Sequence, residues 1–144
     1  MKVQSYLFFD GRCEEALAYY RTHLGAKPGM LMRFKDNPEP PQQPGMSGPG
    51  MADKVMHAEF TIGETTLMAS DGYAQGKPEF KGFYQSIAVK DDAEAQRVFE
   101  ALANGGQVRT PLAKTFFASS FGMVEDRFGV PWMVIAGSPG TAPE

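Results

Sequence analysis

The clearest alternation of apolar and polar positions lies in VMHAEFTIGETTLMASD, from Val55 to Asp71, and it predicts a β-hairpin closing on Gly63-Glu64. A glycine at the first of two loop residues supplies the positive φ of a type II′ turn, which sets Ile62 opposite Thr65. Counting outward pairs Thr61 with Thr66, Phe60 with Leu67, Glu59 with Met68, Ala58 with Ala69 and His57 with Ser70. Side chains alternate between the faces of a strand. One face therefore carries Met56, Ala58, Phe60, Ile62, Leu67 and Ala69, and is a core face. The other carries His57, Glu59, Thr61, Thr66, Met68 and Ser70, and suits either bulk solvent or the lining of a wet cavity.

Before the hairpin, Val3 to Phe9 is rich in aromatic and β-favouring residues and stops at Asp10-Gly11, which predicts a strand. Cys13, Ala16, Leu17, Tyr20 and Leu24 then recur at helical spacing, with Gly25 where a C-terminal cap belongs. Met30 to Phe34 reads as a second strand. The segment 35–53, KDNPEPPQQPGMSGPGMAD, is crowded with Pro and Gly and predicts a long loop, flexible or folded over the surface. After the hairpin, Gly72 to Lys81 is a linker and Phe83 to Val89 a strand. Asp91 or Asp92 caps a helix with Ala95, Val98, Phe99 and Leu102 on one side, ended by Asn104-Gly105-Gly106. Gln107 to Pro111 is a short strand, and Ser119 to Val124 with Val130 to Ile135 a second hairpin through Glu125 to Gly129. Residues 138–144 form a frayed tail.

The two halves, about 1–75 and 76–137, repeat one order: strand, helix, short strand, hairpin. The expectation is an α+β protein, a single domain of two βαβββ modules. Each module is a sheet with one face under a helix. The other faces would form a curved mixed sheet around a common cavity, with the polar side of the hairpin as lining.

Composition narrows the partners. Among 144 residues, 14 basic and 17 acidic side chains give a net charge of −3 with no basic run, so neither nucleic acid nor an anionic membrane is an expected partner. The apolar run near the start is too short for a signal peptide, and none approaches a membrane span. One cysteine rules out an internal disulfide and points to a reducing, cytoplasmic setting. That cysteine, Cys13, falls on the apolar stripe of the first helix and reads as a small buried residue.

The doubled unit resembles the vicinal oxygen chelate superfamily, which includes glyoxalase I, extradiol dioxygenases and bleomycin- and fosfomycin-resistance proteins. DGRCEEALAYYRTHLGAK, KVMHAEFTIGETTLMASD, GFYQSIAVKDDAEA and VEDRFGVPWMV resemble its PhnB-like family over nearly the whole chain. Members of that family often carry the label 3-demethylubiquinone 3-methyltransferase. Nothing in the sequence looks like the glycine-rich loop between a strand and a helix that usually binds S-adenosylmethionine. By this resemblance the chain is a homodimer. Metal-dependent members take four ligands from the first and last strands of each module, which the resemblance puts at Ser5, Met68, Gln85 and Met133. A hydroxyl and two thioethers are poor donors for hard or borderline divalent ions, and Gln85 alone offers a usable oxygen. No cofactor is therefore expected.

His57 and Glu59 share the polar face, and Glu59 is the cross-strand neighbour of Met68, where the superfamily expects a carboxylate. The pair can orient a polar ligand, act as a base, hold a metal weakly with Gln85, or form a purely structural contact. His23, at the end of the first helix, reads as a complement to the helix dipole. Trp132 should point into the helix-covered core, Asp71-Gly72 and Asp126 read as turn residues, and Phe116-Phe117 fit either a pocket wall or an interface. The resulting expectation is a small organic ligand bound by Ser5, His57, Glu59, Met68, Gln85 and Met133. The alternative is an enzyme of the glyoxalase, isomerase or dioxygenase kind, with His57 and Glu59 transferring protons at an altered metal site.

Overall fold

The computed structural model describes residues 1–38, 50–72 and 77–137. Its elements are β1 (Tyr6–Phe8), α1 (Cys13–Leu24), β2 (Lys27–Arg33), β3 (Val55–Ile62), β4 (Thr65–Ser70), β5 (Gln85–Val89), α2 (Asp92–Ala103), β6 (Gln107–Ala113), β7 (Ser120–Glu125) and β8 (Pro131–Ala136). They fall into two compact units, Met1–Pro78 and Glu79–Glu144. Among the described residues each unit has one α-helix and one four-stranded sheet, in the orders β1-β4-β3-β2 and β5-β8-β7-β6. In each sheet the first strand runs parallel to the last, and the other pairs are antiparallel. This is the α+β repeat of two βαβββ modules that the pattern predicts. Most of the Pro/Gly-rich segment, part of the linker and the tail lie outside the described residues.

In the first module the hairpin has the predicted register from Ala58–Ala69 to Ile62–Thr65, and Gly63 takes a φ of 59°. Ala58, Phe60, Leu67 and Ala69 are buried, with Leu7 beside Ala69 on the neighbouring strand. α1 lies on this side: Tyr20 stacks on Phe60 with ring centroids 6.0 Å apart, and Phe9 tilts against Tyr20 at 6.2 Å. Gly25 ends the helix in the left-handed conformation, its N–H donating to the carbonyl of Tyr20.

Several expectations need correction here. Met56 and Ile62 are only half-buried. A bulge between Met32–His57 and Arg33–Val55 leaves Met56 without a partner on β2, and Ile62 stands beside the turn, beyond the cover of the core. The ladder of β3 and β4 also stops before His57 and Ser70. Ser70 keeps its carbonyl for the N–H of Phe9, and the N–H of Asp71 goes to the carbonyl of Val55 instead. β1 is shorter than predicted because, as an edge strand, it extends only where β4 offers partners. β2 begins earlier, at Lys27, since an edge strand tolerates Pro28.

Asp71 is more than a turn residue. Only 2% exposed, its carboxylate accepts hydrogen bonds from the backbone N–H groups of Gly11 (3.1 Å), Cys13 (2.8 Å) and Val55 (2.7 Å). It thereby ties the start of α1 to the start of β3, and α1 has no side-chain cap of its own.

The second module packs in the same way. Asp91 caps α2 by accepting from the N–H of Glu94, and Ala95, Val98, Phe99 and Leu102 are buried. They face the side of the sheet that holds Val124, Trp132, Val134 and Ala136. Gly122 makes room for Phe99: a Cβ there would come within 2.6 Å of its ring. Trp132 is buried as expected, and its indole N–H donates to Asp126, which also accepts from the N–H groups of Phe128 and Val130.

Candidate functional site

The first sheet turns one side to α1, and within this unit no helix among the described residues lies on the other. The register sets the side chains on that second side in rows. Tyr6, Met68 and Glu59 lie across β1, β4 and β3, and Phe8 stands beside Ser70; His57, two residues before Glu59 on β3, faces the same side and has Met32 as its partner on β2. Beyond Glu59, Thr61 and Thr66 share a hydrogen bond of 3.0 Å. Polar and aromatic groups thus alternate with thioethers on a surface whose backbone is fixed by the sheet ladder.

Within this surface three groups form a chain. Glu59 Oε2 lies 3.3 Å from His57 Nε2, and His57 Nδ1 lies 2.8 Å from the Tyr6 hydroxyl. Burial of the Tyr6 side chain, then the neighbouring Cys13 thiol, raises the phenol's pKa, against an opposing hydrogen bond with Ser70. The phenol therefore keeps its proton near neutral pH. With a neutral imidazole, the Tyr6 O–H donates to Nδ1 and the Nε2–H donates to Glu59. The carboxylate thereby selects the tautomer and the orientation of the ring. Carboxylate, imidazole and hydroxyl stand in the order that lets a base take a proton from a hydroxyl while an acid group steadies the base. Tyr6 and Phe8 also place their rings 5.0 Å apart, and Tyr6 and His57 theirs at 5.5 Å.

Of the residues singled out in the sequence, His57, Glu59 and Met68 meet on this surface. Ser5 does not share their phase: Tyr6 is the partner of Met68 in the ladder, and the backbone carbonyl of Ser5 accepts from the N–H of Met68. The same one-residue slip recurs in the second module, where Gln85 pairs with Trp132, on the α2 side, and Ser86 is the partner of Met133. Met133 also neighbours Met123 on β7. Parallel pairing of a first strand with a last strand cannot be counted from a turn, so the phase of the first strands was not fixed by the sequence. Tyr6 and Phe8 are the functional candidates missed; the signal for them was a short strand presenting aromatic rings at two alternate positions.

In the first module Tyr6 and Met68 offer a phenol and a thioether, and in the second Ser86 and Met133 offer a hydroxyl and a thioether, each a poor donor for hard or borderline divalent ions. Among the described residues no three His, Cys, Asp or Glu side chains come together as a metal site.

The remaining candidates fall outside this surface. His23 stacks on Tyr19 at 4.2 Å in the last turn of α1. Phe117 packs edge-on against both Phe116 and Phe121, and Phe116 is 99% exposed. Cys13 is fully buried, and burial, followed by the charges of Asp71 and Glu14, pushes its thiol far above the usual range, so it is inert.

The family model for 3-demethylubiquinone-9 3-methyltransferase matches residues 1–135. The chain belongs to this family. Among solved structures, it is similar to protein PA1353 from Pseudomonas aeruginosa, with 44% identity and a TM-score of 0.80 over 94% of this chain and 97% of that one. A PhnB protein from Bacillus cereus is 27% identical with a TM-score of 0.76, over 94% and 99% of the two chains. For the fold alone, a glyoxylase/bleomycin resistance/dioxygenase domain from Frankia matches 94% of each chain at a TM-score of 0.59 and 19% identity. The chain is thus PhnB-like, with the fold of a glyoxylase/bleomycin resistance/dioxygenase domain. No helix among the described residues is long and apolar enough to cross a membrane.

Proposed function

We propose that this protein binds a small organic molecule on the face of its first sheet turned away from α1, through Tyr6, His57 and Glu59. The observation that carries this reading is the Glu59–His57–Tyr6 chain itself, laid on a surface that also presents Phe8 and Met68. A sheet face that only met solvent would need neither the aromatic pair nor an imidazole held at both nitrogens. The reading does without a divalent metal, since the side chains at the expected ligand positions are poor donors. Resemblance supports a second copy of the chain as partner. The single buried cysteine suits a reducing, cytoplasmic setting.

A second reading is favoured by the order of the three groups. Carboxylate, imidazole and phenol make a proton relay, so in a glyoxalase- or isomerase-like enzyme the Tyr6 oxygen would take the substrate's proton as its own O–H proton passes to His57 Nδ1, with Glu59 orienting the imidazole and balancing the imidazolium. Methyl transfer, the activity in the family's description, is the least supported of the three. The β1–α1 turn, Asp10-Gly11-Arg12, is short and lacks the glycine-rich cradle of an S-adenosylmethionine site.

The test is a thermal-shift screen of a small-molecule library on the wild type, His57→Gln and Glu59→Gln. Compounds that raise the melting temperature of the wild type and of neither variant support the site. Hits retained by both variants would place binding elsewhere. Turnover of a hit would decide for the second reading.

A further inference from the structure

The face turned away from α1 has a chemical polarity that narrows the class of its ligand. Tyr6 and Phe8 offer adjoining rings, and Phe8 is 55% exposed. Between the Tyr6 ring and Glu59 lies the thioether position of Met68, soft and adaptable. Glu59 has 39% of its side chain exposed, and among the described residues its one hydrogen-bond partner is His57, through Oε2. With His57 neutral, the charge of the chain of three is that of the Glu59 carboxylate. Among the strand residues the cation that shares this side, Lys27, stands at the sheet edge across from Thr61, a row beyond Glu59. Arg33 is engaged elsewhere, by Glu14 and the carbonyl of Asp53.

We infer that the ligand is an aromatic amine or another aromatic cation, with its ring on Tyr6 and Phe8 and its positive group against Glu59. The two ends of the ligand are held differently: the Glu59 carboxylate supplies the charge that favours a cation, and the rings of Tyr6 and Phe8 supply the surface on which an aromatic group stacks. A carboxylate-bearing aromatic would meet the Glu59 charge at close range and is disfavoured by the same geometry.

The inference rests on the binding reading above, and the probes separate the two. The ¹⁵N-labelled full chain is titrated, at about pH 8 so that imidazole is ordinarily neutral, with 2-phenylethylamine, its uncharged analogue 2-phenylethanol and the anion 3-phenylpropanoate. The amine is expected to bind about 10-fold or more tightly than the alcohol, a difference of roughly 1.4 kcal/mol, and the anion most weakly. In Glu59→Gln the amine and the alcohol should become equal, whereas Phe8→Ala should weaken both alike. Equal binding of alcohol and amine in the wild type, or tighter binding of the anion, at Tyr6, Phe8 and Glu59 would overturn the cation inference and leave the site standing. An amine preference that survives Glu59→Gln would also overturn it. If no probe perturbs those residues at millimolar concentration, the inference and the binding site fall together.

Discussion

The hydroxyl of Tyr6 reaches His57 Nδ1 at 2.8 Å across an intervening strand. β1 and β3 both pair with β4, so their backbones stand about 9.6 Å apart, twice the usual strand spacing. A phenol spans that gap; a serine or threonine on β1 would not. Small Ser70 in the row between leaves room for it. Tyr6→Phe keeps the ring and removes only the bond, so its expected cost in stability is within about 1 kcal/mol, the scale of one net hydrogen bond. The ¹⁵N signal of His57 Nδ1 should move as it loses its donor. An unmoved signal would mean that the relay does not form.

Asp71→Asn should be far more damaging. Three backbone N–H groups converge on one buried carboxylate, and an amide can accept at only one of its two ends. At least one donor is left unmet or faces another donor, for an expected loss of about 3 kcal/mol in urea unfolding. Asp53→Asn, which breaks the exposed pair with Lys35, should cost under about 1 kcal/mol. Similar effects of the two changes would remove Asp71 from its place as the joint between α1 and β3.

The second module makes the corresponding joint from the helix side. Asp92, on the first turn of α2, accepts from the hydroxyls of Ser119 (2.5 Å) and Ser120 (2.7 Å) at the start of β7. The Ser119 bond first, and then the Ser120 bond, lower the carboxyl's pKa against a smaller opposing effect of burial. A depressed folded value means that the unfolded chain takes up its proton first as pH falls. The contribution is therefore whole above the ordinary carboxylate value of about 4 and is lost as pH falls through the lower folded value. Urea midpoints measured across that acid range should fall more steeply for the wild type than for the Ser119→Ala, Ser120→Ala double variant. Parallel curves would contradict this.

Metal content gives an independent check. Protein purified without a metal-affinity step should carry no stoichiometric transition metal, because phenol, hydroxyl and thioether donors hold zinc, nickel or iron poorly. Elemental analysis showing close to one such ion per chain would overturn the metal-free reading. The search for ligands would then start from His57 and Glu59; Gln85, expected with them, lies on the α2 side of the second sheet.

What could be read from the sequence and what could not divide along physical lines. The hairpin of β3 and β4 was legible from Ile62–Thr65 out to Ala58–Ala69 because a two-residue turn with Gly63 sets the antiparallel register, which holds until the ladder shifts before His57 and Ser70. The helices were equally clear, since Cys13, Ala16 and Tyr20, or Ala95, Val98, Phe99 and Leu102, mark one buried side. Parallel partners have no such anchor. The phase of β1 against β4 and of β5 against β8 depends on tertiary packing, which is why Ser5 and Gln85 were expected where Tyr6 and Ser86 stand. Bonds that join distant segments through one side chain, such as those of Asp71, leave no periodic trace at all.

The most direct test of the account is a double-mutant cycle on His57→Gln and Glu59→Gln, read both in urea stability and in binding of the strongest hit from the thermal-shift screen. The account predicts that each single change leaves stability within about 1 kcal/mol, that the two are weakly coupled in stability, and that each abolishes binding. Strong coupling in stability with binding unchanged would make His57 and Glu59 a structural pair, and would contradict the assignment of this face as a binding site.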